Sequence, residues 1–98
     1  MNTDLVRAIR EKRLIEFPYK SSVVRIAEPH DYGIQDGIER LLTFQLSGES
    51  RARTERGWRD LHLADIRRLR VLEQRFAGSR GDSSQKHRTW DVLFARVE

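Results

Sequence analysis

The residues able to do chemistry in this 98-residue chain are three histidines, seven serines, fifteen carboxylates and, above all, sixteen arginines. His30, His62 and His87 have no i, i+4 pairing and no cysteine company, so their spacing spells no metal site. The serines cluster in turns and loops without the G-x-S-x-G setting that activates a hydroxyl, and no hydrolase chemistry is expected. Gly33 and Gly37 are too far apart for a phosphate-cradling loop and lack its lysine ending. Gly78-Ser79-Arg80-Gly81 follows a strand but opens no helix, and turns account for all four. Glu28 and Asp31, on either side of Pro29 and His30, can both approach Arg25, where charge balance is a commoner task than acid–base catalysis. The expectation is a chain that makes and breaks no bonds and carries no cofactor.

What remains is recognition. Arginine pairs bidentately with phosphate and carboxylate and stacks on flat rings. Residues 51–76 hold eight arginines against Glu55, Asp60, Asp65 and Glu73, whereas residues 21–50 are net acidic. Such a stretch attracts nucleic-acid phosphate in a salt-dependent way, or serves as a solvated surface. Trp58 beside Arg59, and Tyr32 close to His30, are combinations in which a ring stacks on a base while a cation holds phosphate. The alternative is that Trp58 lies in the core and Tyr32 packs over a turn. Arg25, between Val24 and Ile26, points to the opposite side of its strand from them, either into solvent or onto a charged face with Arg40 and His62.

Length and composition bound these readings. A chain of this size, 38% hydrophobic and 35% charged, makes one small domain. With no cysteine it has neither disulfide nor thiolate metal site, and a reducing cytoplasm is the expected compartment. Charges at Asp4, Arg7, Arg10, Glu11, Lys12 and Arg13 leave no apolar signal core, and no run approaches membrane-spanning length.

The elements follow from periodicity. Thr3 or Asp4 caps a helix with Leu5, Val6, Ala8 and Ile9 at helical spacing. From Leu14 the period becomes two, giving a first strand with Ile15, Phe17 and Tyr19 on one face and Pro18 marking an edge. Lys20, Ser21 and Ser22 turn the chain into a second strand, Val23 to Glu28, which Pro29 halts. A turn-rich stretch, His30 to Gly37, precedes a third, central strand from Ile38 to Leu46. A hairpin at Ser47 to Ser50 leads through the polar residues 51–56 to a fourth strand at Trp58 to Leu63. Ala64 to Ile66 suggests a helical turn, and Leu69 to Phe76 a fifth strand, bulged near Val71 and Leu72. Five short strands and a helix fit a small antiparallel barrel. Residues 77–87 read as a flexible linker. Residues 88–98 carry Trp90, Val92, Leu93, Phe94 and Val97, an apolar cluster of undetermined period that docks on its own domain or makes a homo-oligomer.

The order helix, Leu14-Ile15-Glu16-Phe17-Pro18-Tyr19, Val24-Arg25-Ile26-Ala27-Glu28-Pro29-His30, Leu41-Leu42-Thr43-Phe44, then Trp58 to Ile66 with Leu69 to Phe76, resembles the WYL domain family. The resemblance covers residues 5–76, and the ending looks like that of short stand-alone WYL-like bacterial proteins. It implies residues 1–76 as an Sm-like, SH3-type barrel with an N-terminal helix. It also implies a non-enzymatic domain that binds nucleic acid or senses nucleotide-like ligands, as in bacterial transcription regulators. The naming tripeptide falls at Glu39-Arg40-Leu41, with Arg40 where the family has tyrosine. In the later motif His62 stands for one family arginine and Asp65 for the other. Arg25-x-x-Glu28-Pro29 is intact, which carries the family's ligand-facing role to Arg25. The residues expected to bind single-stranded nucleic acid or another anion are Arg25, Arg40, Arg59, His62, His30, Tyr32 and Trp58. The alternative is a protein–protein module using Trp90, Val92 and Phe94.

Overall fold

The computed structural model describes residues 1–48, 55–81 and 89–98 of the chain. Among these residues, one short helix precedes six antiparallel strands joined in a single unclosed sheet. The helix α1 (Thr3–Arg10) begins one residue earlier than the sequence suggests. Asn2 is its cap, its side chain accepting from the Leu5 backbone N–H, and it satisfies a donor the first turn leaves open. Leu5, Val6, Ala8 and Ile9 are buried, because their spacing puts them on one face of the helix.

The strands are β1 (Arg13–Pro18), β2 (Val24–Gln35), β3 (Ile38–Ser47), β4 (Gly57–His62), β5 (Arg70–Arg75) and β6 (Val92–Arg96), with a 3₁₀ turn at Leu63–Asp65. Their order is β4-β3-β2-β1-β5, and β6 pairs with β2 beside β1. An isolated bridge from Tyr19 to Ile66 prolongs the antiparallel contact between β1 and the chain entering β5. The expected hairpin at Ser47–Ser50 and the polar arm beyond it fall largely in residues 49–54, outside the described residues. Residues 82–87 of the expected linker lie outside them too.

Pro29 acts differently from the sequence expectation, and Pro18 in keeping with it. Pro29 does not halt β2, which runs on through the stretch read as turn-rich. One side of β2 is taken by β1 at residues 24–27 and by β6 at 31–34, and Pro29 sits in the interval between them. On its other side the register against β3 slips between Pro29 and Asp31, making His30 the extra residue of a bulge. A missing N–H is tolerated in a ladder interrupted in this way. Pro18 does lie where β1 has an open side, since the β5 partners stop at Glu16 and Pro18 itself pairs with Val24 of β2.

Ile15, Phe17, Ala27, Leu41 and Leu61 of the sheet cluster with the apolar stripe of α1 to make the core. Each large side chain so buried contributes about 2 kcal/mol of hydrophobic stabilisation. The terminal segment is a strand, and it docks on its own chain. Trp90 lies against Gly33, and the Phe94 ring is 5.0 Å from that of Tyr32.

Candidate functional site

Cross-strand partners share a face of a sheet. Arg25 lies on the face of Ala27, whose partner on β3 is Gln45. Arg25 Nη1 donates to Gln45 Oε1 at 3.3 Å, and its guanidinium lies 4.9 Å from the centroid of Tyr19. Arg59 is opposite Thr43, two residues before Gln45, and so shares that face. Arg40 is opposite His62, and Phe44 opposite Trp58, on the reverse side. The sheet therefore divides the sequence-derived set. Arg25 and Arg59 look one way, and Arg40, His62 and Trp58 the other. Arg40 Nη1 is further committed to Asp60 Oδ2 at 3.3 Å.

His30 and Tyr32 present no ring to solvent, since both are fully buried. Tyr32 is a core residue opposite Leu41. Its hydroxyl accepts from the Asn2 N–H at 2.6 Å and donates to Glu39 Oε2 at 2.5 Å. Burial first, and then donation to that carboxylate, push the phenol up to about 12. His30 Nε2 is 3.0 Å from Glu28 Oε1, and its ring packs edge-on to Trp58 and against Phe76. Burial holds the imidazole below its usual range. Glu28 opposes that shift through its hydrogen bond and charge, and Arg80 adds to it.

Sequence reasoning did not find the partners of this buried cluster. Arg80 grips Glu28 with two hydrogen bonds, 2.8 and 2.9 Å, while its guanidinium lies 3.6 Å from the Phe44 centroid. Arg96 holds the fully buried Asp31 in the same bidentate manner, at 3.1 and 3.2 Å. Both carboxylates on β2 are thus clamped by arginines from the part of the chain that follows β5. Neither pairs with Arg25, as the sequence spacing had suggested. These contacts fasten the C-terminal part of the chain to the sheet.

A group of cations lies elsewhere among the described residues, at the end of the sheet where β1 gives way to β2. A cleft of about 360 Å³ is lined there by Pro18, Lys20, Ser21, Asp65, Arg67 and Arg68. A smaller one of about 210 Å³, lined by Glu16, Phe17, Pro18, Val24, Arg68 and Arg70, shares Pro18 and Arg68 with it. Lys20 Nζ lies 5.6 Å from the Tyr19 centroid, the ring that Arg25 also approaches, and 3.8 Å from Asp65 Oδ2. Arg67 and Arg68 are exposed and form no ion pair with a described residue. Lys20 and Arg68 are held in the left-handed backbone region, at φ 58° and 50°, a conformation that costs such residues about 1 kcal/mol or more.

The topology explains this convergence. β1 and β5 are antiparallel neighbours, so the residues leaving β1 and those entering β5 meet at one end. The Tyr19–Ile66 bridge and a 3.3 Å hydrogen bond from the His62 N–H to the Tyr19 hydroxyl fix that meeting point. An arrangement of guanidinium and ammonium groups around a shallow cleft can hold an anion. Among the described residues, no group of three His, Asp or Glu side chains could hold a metal ion, and no helix is long and apolar enough to cross a membrane. Compared with protein-family models, curated proteins and solved structures, the chain gives no match.

Proposed function

We propose that the chain is a non-enzymatic, WYL-like binding domain of the cytoplasm that recognises single-stranded nucleic acid or a nucleotide-type ligand, in a sensing or regulatory role. In this reading the bent sheet is an Sm-like, SH3-type barrel. The strand order, the 3₁₀ turn between β4 and β5 and the Tyr19–Ile66 bridge support that reading. The observation that carries the functional reading is the meeting of cations from two separate stretches of chain. Lys20 and Arg25 flank Tyr19, and Arg67 and Arg68 lie across the cleft from the β1–β2 turn. From the sequence-derived set, Arg25 stands beside Tyr19 next to the cleft, and Arg59 shares its face of the sheet. Arg40 and His62 belong to the opposite surface, and His30, Tyr32 and Trp58 act in packing.

Cations gathered in this way bind phosphate with a steep dependence on ionic strength, because each neutralised phosphate releases counterions. A 3′-labelled oligothymidylate titrated by fluorescence anisotropy should bind at about 50 mM salt and lose at least tenfold in affinity by about 200 mM. Arg67→Ala combined with Arg68→Ala should weaken binding about tenfold and flatten the salt slope, whereas Arg40→Ala should leave both unchanged. Absence of binding at low salt would defeat the proposal, as would equal loss in the Arg40 variant.

A further inference from the structure

Within that reading, on which this step rests, we infer that the cleft takes the terminal phosphate of a nucleic-acid strand or of a mononucleotide, rather than tracking a continuous backbone. A protein that follows a strand needs a line of cations and exposed rings on which successive bases stack. Here Lys20, Arg67 and Arg68 gather around one cleft, and the nearest rings, Tyr19 and Phe17, are buried. Lys20, Arg67 and Arg68 against the single carboxylate of Asp65 leave a net charge of +2 around the larger cleft. That balance matches a terminal phosphomonoester, which carries about −1.5 to −2 near neutral pH, better than an internal phosphodiester. The Ser21 hydroxyl adds a neutral donor to the same lining.

The abutting smaller cleft supplies the second half of the site. Phe17, Pro18 and Val24 give it an apolar wall, and Val24 and its neighbour Val23 are exposed. A flat, weakly polar body joined to a phosphate has the right division of character. Its anionic end meets the ammonium and guanidinium groups, and the attached sugar and base lie along Pro18 and Val24. Arg68 lines both clefts and lies at the join. Arg68 and Lys20, both in the left-handed backbone region, line the larger cleft together.

Competition separates this inference from the broader proposal. Against bound 3′-labelled oligothymidylate, a 5′-phosphorylated strand should compete about tenfold better than the same strand with a 5′-hydroxyl. A nucleoside monophosphate should compete where the nucleoside does not, and inorganic phosphate should compete more weakly than the monophosphate. Asp65→Asn should strengthen binding of the 5′-phosphorylated strand severalfold by removing the one opposing charge, a gain that a misfolded variant would not give. Equal competition by phosphorylated and unphosphorylated strands would overturn the terminal-phosphate inference and leave strand binding intact. So would an Asp65→Asn variant that keeps its circular dichroism spectrum and gains nothing. A phosphotyrosine peptide outcompeting the nucleotide would also overturn it. Failure of every strand to bind at low salt would remove the broader proposal instead.

Discussion

Gly33→Ala is expected to cost about 3 kcal/mol and to release β6 from the sheet. An added Cβ would lie 2.1 Å from the Val92 carbonyl oxygen, 2.9 Å from the Trp90 ring and 3.1 Å from the Leu93 Cα. Two of those atoms are backbone, so no change of side-chain rotamer relieves the overlap, and the pairing of Gly33 with Leu93 must open. Opening it withdraws Phe94 from Tyr32 and Arg96 from the buried Asp31, which is why one methyl group has so large an effect. Denaturant titration followed by tryptophan fluorescence measures the loss. Gly37→Ala is the control, since its Cβ meets nothing and only the backbone at φ 75° is strained, for about 1 kcal/mol. A Gly33→Ala protein no less stable than the Gly37→Ala one would contradict the packing described.

The second large effect is expected at Glu28. Glu28→Ala removes the acceptor of both Arg80 hydrogen bonds and the partner of His30. Loss of one member of a buried pair costs about 3 to 5 kcal/mol. Arg80 is 34% exposed and can turn to water, so about 2 to 3 kcal/mol is the expected loss. The same cluster sets a pH dependence. The folded state keeps the His30 ring neutral below its ordinary pKa of 6.5, while the unfolded chain takes up a proton there. Stability is therefore present in full above that value and declines as the pH falls toward the lowered pKa of the folded state. Glu28 works against the lowering, so its removal should carry the decline to still lower pH. Melting temperature against pH for the wild type, Glu28→Ala and His30→Gln checks this. A wild-type curve flat below pH 6.5, or unchanged by His30→Gln, would count against it.

The elements that a local pattern could identify were legible in the sequence. The helix at Leu5 to Ile9 and the alternation of Ile15 and Phe17 lead straight to buried faces. The polar segment after Phe76 also breaks the pattern where β5 ends. The run of β2 past Pro29 was not legible, because whether a proline ends a strand depends on what lies beside it. Its tolerance comes from the changeover between β1 and β6, a fact of the tertiary structure. The period of Trp90 to Val97 was equally indeterminate until β2 supplied an edge for it.

For the candidate site, the abundance of arginine was legible and the grouping of the cations was not. Arg25 stands beside a ring, Tyr19. The grouping of Arg25 with Arg40 and His62 treated them as one surface, whereas the β3–β4 register sets Arg40 and His62 on the reverse of the sheet. Lys20 stands 47 positions before Arg67 in the sequence, and it meets Arg67 and Arg68 because β1 pairs with β5. Their one signal was position, since Lys20 lies two residues beyond β1 and Arg68 two residues before β5. Arg80 and Arg96 were hidden for a related reason. A cation in a segment read as linker or terminal cluster gives no local sign that its partner is a carboxylate buried on β2.

Backbone amide chemical shifts of the whole protein, followed during titration with a 5′-phosphorylated oligothymidylate at low salt, test most directly where the anion binds. The expected perturbations fall on Lys20 to Ser22, Arg25 and Asp65 to Arg70 and fade as salt is added. Perturbations confined to the surface of Arg40, Asp60 and His62, or none at any site, would contradict it.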